Sequence, residues 1–109
     1  MANQLDTFFS AVSDPTRRAV IERLTRGPAS VSELAEPHDM ALPSFLRHIR
    51  VLEGSGLVRS QKKGRTRICH IEAEPLIAAQ GWLAWQREVW EGRTDRLQAL
   101  AEKLERDSQ

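Results

Sequence analysis

The segment that most constrains the fold is Leu42 to Ser55, LPSFLRHIRVLEGS. Phe45, Ile49 and Leu52 fall at i, i+4 and i+7, the spacing that sets three side chains on one buried stripe of a helix. Arg47 and Arg50 lie off that stripe, with Ser44 and Leu46 near the first turn. Pro43 suits the first helical position, where an amide would lack a partner in any case. Gly56 follows the last apolar turn and marks a C-terminal stop. Immediately downstream, LVRSQKKGRTRICHI reads as two short extended runs joined by a turn at Lys63-Gly64, with five cations between Arg59 and Arg67.

A short helix with a basic outer face, followed at once by a basic hairpin, has the form of a recognition helix and its wing. The pattern predicts a winged helix that binds DNA. Charge distribution agrees. The whole chain of 109 residues carries only +1, yet Pro43 to Arg67 holds seven Lys/Arg against one acid, Glu53, so +6 is concentrated there and −5 falls elsewhere. Cations gathered on one segment of an otherwise acidic chain suit a polyanion-binding face, although charge runs are also ordinary solvated surface. Upstream, Ser30-Val31-Ser32-Glu33 is a capping box that opens a short helix to about Glu36, ended by Pro37. His38 to Leu42 is then the turn of a helix-turn-helix over residues 30–55.

The flanks complete a single domain, residues 1–109. Leu5 to Val12 is an amphipathic helix with Leu5, Phe8, Phe9 and Val12 on one face. Asp14 and Pro15 cap and start a second helix to about Arg26, burying Ala19, Val20 and Leu24. Arg17 and Arg18 face outward, toward phosphate or water. The hairpin spans 57–71, with Cys69 and Ile71 inward. A last helix over 75–106 repeats Leu76, Leu83, Trp90, Leu97 and Leu104 every seven residues, and Ala79, Trp82, Trp85, Val89 and Leu100 widen the stripe. So long a helix offers more apolar surface than one face of a small domain covers. Its remainder meets a second copy, with the first helix joining in, or it is a long core helix of a monomer. The expected class is mainly α with a small β-hairpin, in the order α1-α2-α3-α4-β1-β2-α5.

Other chemistry finds little support. No apolar run approaches the roughly 20 residues that span a bilayer, and MANQLDTFF lacks the n- and h-regions of a signal peptide. Cys69, the single cysteine, suits a reducing compartment and a cytoplasmic protein. It is a small core residue, or else an oxidation sensor or half of a metal site shared between two copies. His38, His48 and His70 are dispersed without ligand spacing, so no metal or cofactor is expected. There is no Gly-rich phosphate loop, His-Glu-x-x-His or Gly-x-Ser-x-Gly, and no enzymatic activity is expected. Trp82, Trp85 and Trp90 are interface core, or line an apolar pocket for an organic inducer.

AVSDPTRRAVIERLTRGPASVSELAE and MALPSFLRHIRVLEGSGLVRSQKKGR resemble the ArsR-type (arsenic repressor-like) winged helix-turn-helix regulators. The marks are Ser13-Asp14-Pro15-Thr16-Arg17, Arg47-His48-Ile49 with Val51-Leu52, Gly56-Leu57-Val58 and Gly64-Arg65. Trp82-Leu83 and Trp90-Glu91 are similar to a branch lacking the metal motifs. The resemblance implies a homodimeric repressor of double-stranded DNA, bound to a pseudo-palindromic operator and released by a small-molecule inducer. It places Leu5, Phe8, Phe9, Leu83, Trp90, Leu97, Leu100 and Leu104 in the dimer interface. DNA contacts would fall to Ser44, Leu46, Arg47, His48, Arg50, Lys62, Lys63, Arg65 and Arg67, with His48 serving the groove or the helix surface. Two departures stand out: Ala41 replaces a common serine, and Leu46 replaces a small polar residue, so position 46 can touch a thymine methyl but not hydrogen-bond a base. Two rivals stay open on the same scaffold, a protein-interaction module and a Cys69-dependent redox or metal sensor.

Overall fold

A computed structural model describes residues 3–108. Eight elements follow in order: α1 (Gln4–Val12), α2 (Pro15–Leu24), β1 (Ala29–Ser30), α3 (Val31–Ala35), α4 (Leu42–Gly54), β2 (Val58–Lys63), β3 (Thr66–Ile71) and α5 (Glu74–Asp107). The chain divides into two compact units, Met1–Ala78 and Ala79–Gln109. Among the described residues no helix is long and apolar enough to cross a membrane.

Local sequence explains the helix boundaries of the first unit. Asn3 caps α1 in a capping box with Asp6. Asp14 caps α2, its carboxylate accepting from the Arg17 amide, with Pro15 in the first turn. Ser30 and Glu33 form the expected box at the head of α3. α4 has no side-chain cap and relies on Pro43 in its first turn. It ends where Gly56 takes φ +80°, a conformation costly for other residues.

The predicted stripe of α4 is the centre of the core. Phe45, Ile49 and Leu52 are all buried, together with Val20 and Leu24 of α2, Leu34 of α3, and Leu57, Val58 and Cys69 of the sheet. Phe8 and Ala11 bury the inner side of α1. Phe8, expected at a subunit interface, therefore already belongs to the core of its own chain, whereas Phe9 beside it is open to solvent. Ala19 is only half-buried, and α2 ends at Leu24, two residues short of the expected Arg26.

The sheet has a strand that periodicity does not show. β1 pairs antiparallel with β3, Ala29 opposite Cys69 and Ser30 opposite Ile68, giving the order β1-β3-β2. Two residues are too few for an alternation signal, and the strand exists because the extended cap conformation of Ser30 lies along β3. β2 and β3 pair from Val58 opposite Ile71 to Lys63 opposite Thr66. The turn is thus Gly64-Arg65, one residue later than expected. Gly64 has φ +63°, as the first central position of a type II′ turn requires, and among the described residues only glycines have positive φ.

The second unit is helical, formed by the continuation of α5. Leu83, Trp90, Leu97, Leu100 and Leu104 are each more than half exposed. Arg93 lies over the Trp90 ring, 5.4 Å from its centroid.

Candidate nucleic-acid interface

α4 lies across the core on its Phe45–Ile49–Leu52 stripe, which leaves the opposite side to solvent. Ser44, Arg47 and Arg50 are exposed there and Leu46 is half-exposed. The wing adds Lys62 and Lys63 at the end of β2 and Arg65 in the turn. Among the described residues, the side chains of Arg47, Arg50, Lys62, Lys63 and Arg65 have no hydrogen bond or ion pair. Leu46 borders a cleft with Ser30, Val31, Ser32, Arg65, Thr66 and Arg67. Exposed cations thus stand on both the second helix-turn-helix element and the wing, the basic edge of the fold, and the cleft joins Leu46 to the Arg65–Arg67 end of the wing.

The remaining cations of the cluster are held. Arg59 Nε lies 2.9 Å from Glu72 Oε1, so its charge is paired at the foot of the wing. Arg67 donates to Ser60 Oγ at 2.7 Å, and that hydroxyl lies 3.3 Å from Glu53 Oε1. Arg67, expected to contact DNA, is thereby drawn across the sheet toward α4. Cross-strand placement explains both contacts, since Arg59 sits opposite His70 and Lys62 opposite Arg67.

Arg18 is exposed as expected, whereas Arg17 is half-buried, and both guanidinium groups turn back onto α1. Arg17 Nε donates to the Ala11 carbonyl at 2.7 Å and Nη2 to that of Ser10 at 3.0 Å, while Arg18 Nη1 donates to Val12 at 2.8 Å. These three carbonyls belong to the last turn of α1, where acceptors have no partner within the helix. Arg17 Nη1 also lies 3.1 Å from His48 Nδ1 on α4. Asp14 Oδ2 is 3.6 Å from the same nitrogen. Desolvation works to raise the Asp14 pKa, but the Arg17 amide hydrogen bond and the positive charge beside the carboxylate outweigh it and hold the carboxyl below its ordinary value.

Cys69 is fully buried on β3. Desolvation, reinforced by Glu53, pushes its thiol above the ordinary value against the pull of Arg67. That is the opposite of an activated thiolate. No group of three or more His, Cys, Asp and Glu that could hold a metal ion occurs among the described residues. His38 stacks on Phe45 with ring centroids 5.6 Å apart. Trp82, Trp85 and Trp90 are exposed. An apolar groove of about 310 Å³ lies instead in the first unit, lined chiefly by Phe8, Val12, Ile21, Leu57, Ile71 and Leu76.

Known proteins share this fold. A family model for a helix-turn-helix domain matches residues 12–61. The HTH-type transcriptional regulator Rv2034 of Mycobacterium tuberculosis is 36% identical over 73 residues, covering 67% of this chain and 68% of that one. The transcriptional repressor SdpR of Bacillus subtilis is 30% identical over 79 residues, 72% of this chain and 88% of that one. The crystal structure of an ArsR family transcriptional regulator, RHA00566, superposes with a TM-score of 0.79 at 61% identity, covering 82% of this chain and 98% of that chain. With its helix-turn-helix, wing and basic edge in this order, the chain belongs to the ArsR family of winged helix-turn-helix, DNA-binding transcriptional regulators.

Proposed function

We propose that the chain is a cytoplasmic, homodimeric, non-enzymatic repressor whose two α4 helices enter successive major grooves about 34 Å apart on a pseudo-palindromic operator. The observation that carries this reading is the sorting of cations. Those on the outer side of α4 and at the wing tip are free, while Arg17, Arg59 and Arg67 are engaged within the fold. Ser44 and Arg47 read base edges, and Leu46 packs on a thymine methyl. Arg50, Lys62, Lys63 and Arg65 grip phosphates, with Arg67 a weaker contributor. The exposed line Leu83, Trp90, Leu97, Leu100 and Leu104 supports pairing with a second copy, because an isolated helix gains nothing by showing so many large apolar side chains to water. Leu5 and Phe9 are assigned to the same association by family resemblance. A small-molecule inducer would release the operator.

Fluorescence anisotropy with DNA from upstream of the gene, beside scrambled DNA, tests the reading. Preferential binding of the upstream fragment with two chains per site is expected. Equal, weak binding of both would refute it and leave a basic surface for an acidic protein partner.

A further inference from the structure

The contacts of Arg17 give His48 a role distinct from base reading. Arg17 stands in the first turn of α2, and its guanidinium reaches Ser10 and Ala11 of α1 on one side and His48 of α4 on the other. The His48 side chain is 21% exposed, at the border between the buried stripe and the Ser44–Arg47 side of the helix. A guanidinium only donates, so a nitrogen 3.1 Å from Nη1 must accept. An accepting Nδ1 places the ring proton on Nε2, with Asp14 Oδ2, 3.6 Å from Nδ1, as the competing acceptor for a proton there. Asp14 holds the other end of the clip, accepting the Arg17 amide at 3.0 Å.

We propose that His48 is a positioning residue: through Nδ1 it locks the rotation of α4 about its axis against the junction of α1 and α2. Apolar packing of Phe45, Ile49 and Leu52 is non-directional and tolerates small rotations. An arginine tip lies several ångströms beyond the helix cylinder, so a rotation of about 10° displaces it by on the order of 1.5 Å. That displacement exceeds the span between a good hydrogen bond and none. The Arg17–His48 contact therefore sets whether Arg47, one residue away, meets a base edge in register. The inference rests on the operator-binding reading above.

Two variants separate positioning from base reading, because the Asn side-chain oxygen approximates Nδ1 and the Gln oxygen approximates Nε2. Binding to upstream and scrambled DNA would be measured by anisotropy for the wild type, H48N, H48Q and R17M, with melting temperatures alongside. Positioning through Nδ1 predicts that H48N keeps the wild-type preference within about threefold, while H48Q and R17M lose about tenfold of it, the size of one charge-assisted hydrogen bond. Retention by H48Q with loss in H48N would instead assign base contact to Nε2 and overturn the proposal. So would retention by both, or equal loss in both. The second arm uses no DNA: nitrogen NMR of the wild-type imidazole should show an unprotonated Nδ1 and a protonated Nε2. A proton on Nδ1 would overturn the clip. Failure of the wild type to prefer upstream DNA would refute the operator reading, while the imidazole spectrum still decides the contact.

Discussion

The division between free and engaged cations yields a quantitative expectation for the salt dependence of binding. In each protomer of the proposed dimer Arg50, Lys62, Lys63 and Arg65 are the cations proposed to grip phosphates, whereas Arg59 is committed to Glu72 at 2.9 Å. Four contacts per protomer make about eight in a dimer, and each neutralised phosphate contributes about −0.9 to the slope of log K against log salt, so the slope should be about −7. Raising salt from about 50 to about 200 mM should then weaken binding by roughly 10⁴-fold. Lys63→Ala removes two of the eight contacts and should flatten the slope by about 2. Arg59→Ala removes an equal formal charge, but one whose field is already cancelled by its partner. It should leave the slope unchanged and cost at most about 1 kcal/mol of stability, as for an exposed ion pair. Anisotropy titrations of the three proteins at four salt concentrations provide the comparison. Equal flattening by both substitutions would show that net charge alone, and not the pairing seen in the fold, governs binding, and would refute the reasoning.

Other expectations are as direct. Asp14→Ala removes the α2 cap and should cost about 1 kcal/mol, lowering the melting temperature by about 4–8 °C. The Asp14 and Glu33 carboxyls both titrate below their ordinary values of 3.8 and 4.5, so their stabilisation is present above those values and lost as pH falls through the lower folded ones. Thermal melts at neutral and acid pH should thus show the cost of Asp14→Ala shrinking toward acid, and an unchanged difference would contradict the assigned cap. Phe45→Ala empties a fully buried site at the centre of α4 and should cost about 3–5 kcal/mol in urea unfolding. Leu97→Asp alters a side chain already exposed in the single chain and should leave its helix content intact while converting a dimer to a monomer in sedimentation. A variant that stays dimeric would remove this stripe from the interface.

Much of this protein was readable from local pattern alone. The 3.6-residue period placed Phe45, Ile49 and Leu52 in the core, and the Ser30–Glu33 and Asp14–Pro15 signals started α3 and α2 where they begin. Those features depend on residues within one or two turns of each other, so no knowledge of packing is required. The concentration of cations between Arg47 and Arg67 was equally visible. What only the tertiary structure decided is which cations are available. Arg17 lies 31 residues from His48, Arg59 meets Glu72 across the base of the hairpin, and Arg67 reaches a hydroxyl on the neighbouring strand. Strand β1 also arises from a partner nearly 40 residues away in Cys69 and Ile68. Long charged side chains and two-residue strands have no period of their own. Their contacts are fixed by what stands within reach once α1, α2, α4 and the sheet have packed, and that placement separates the basic edge from the arginines that brace it.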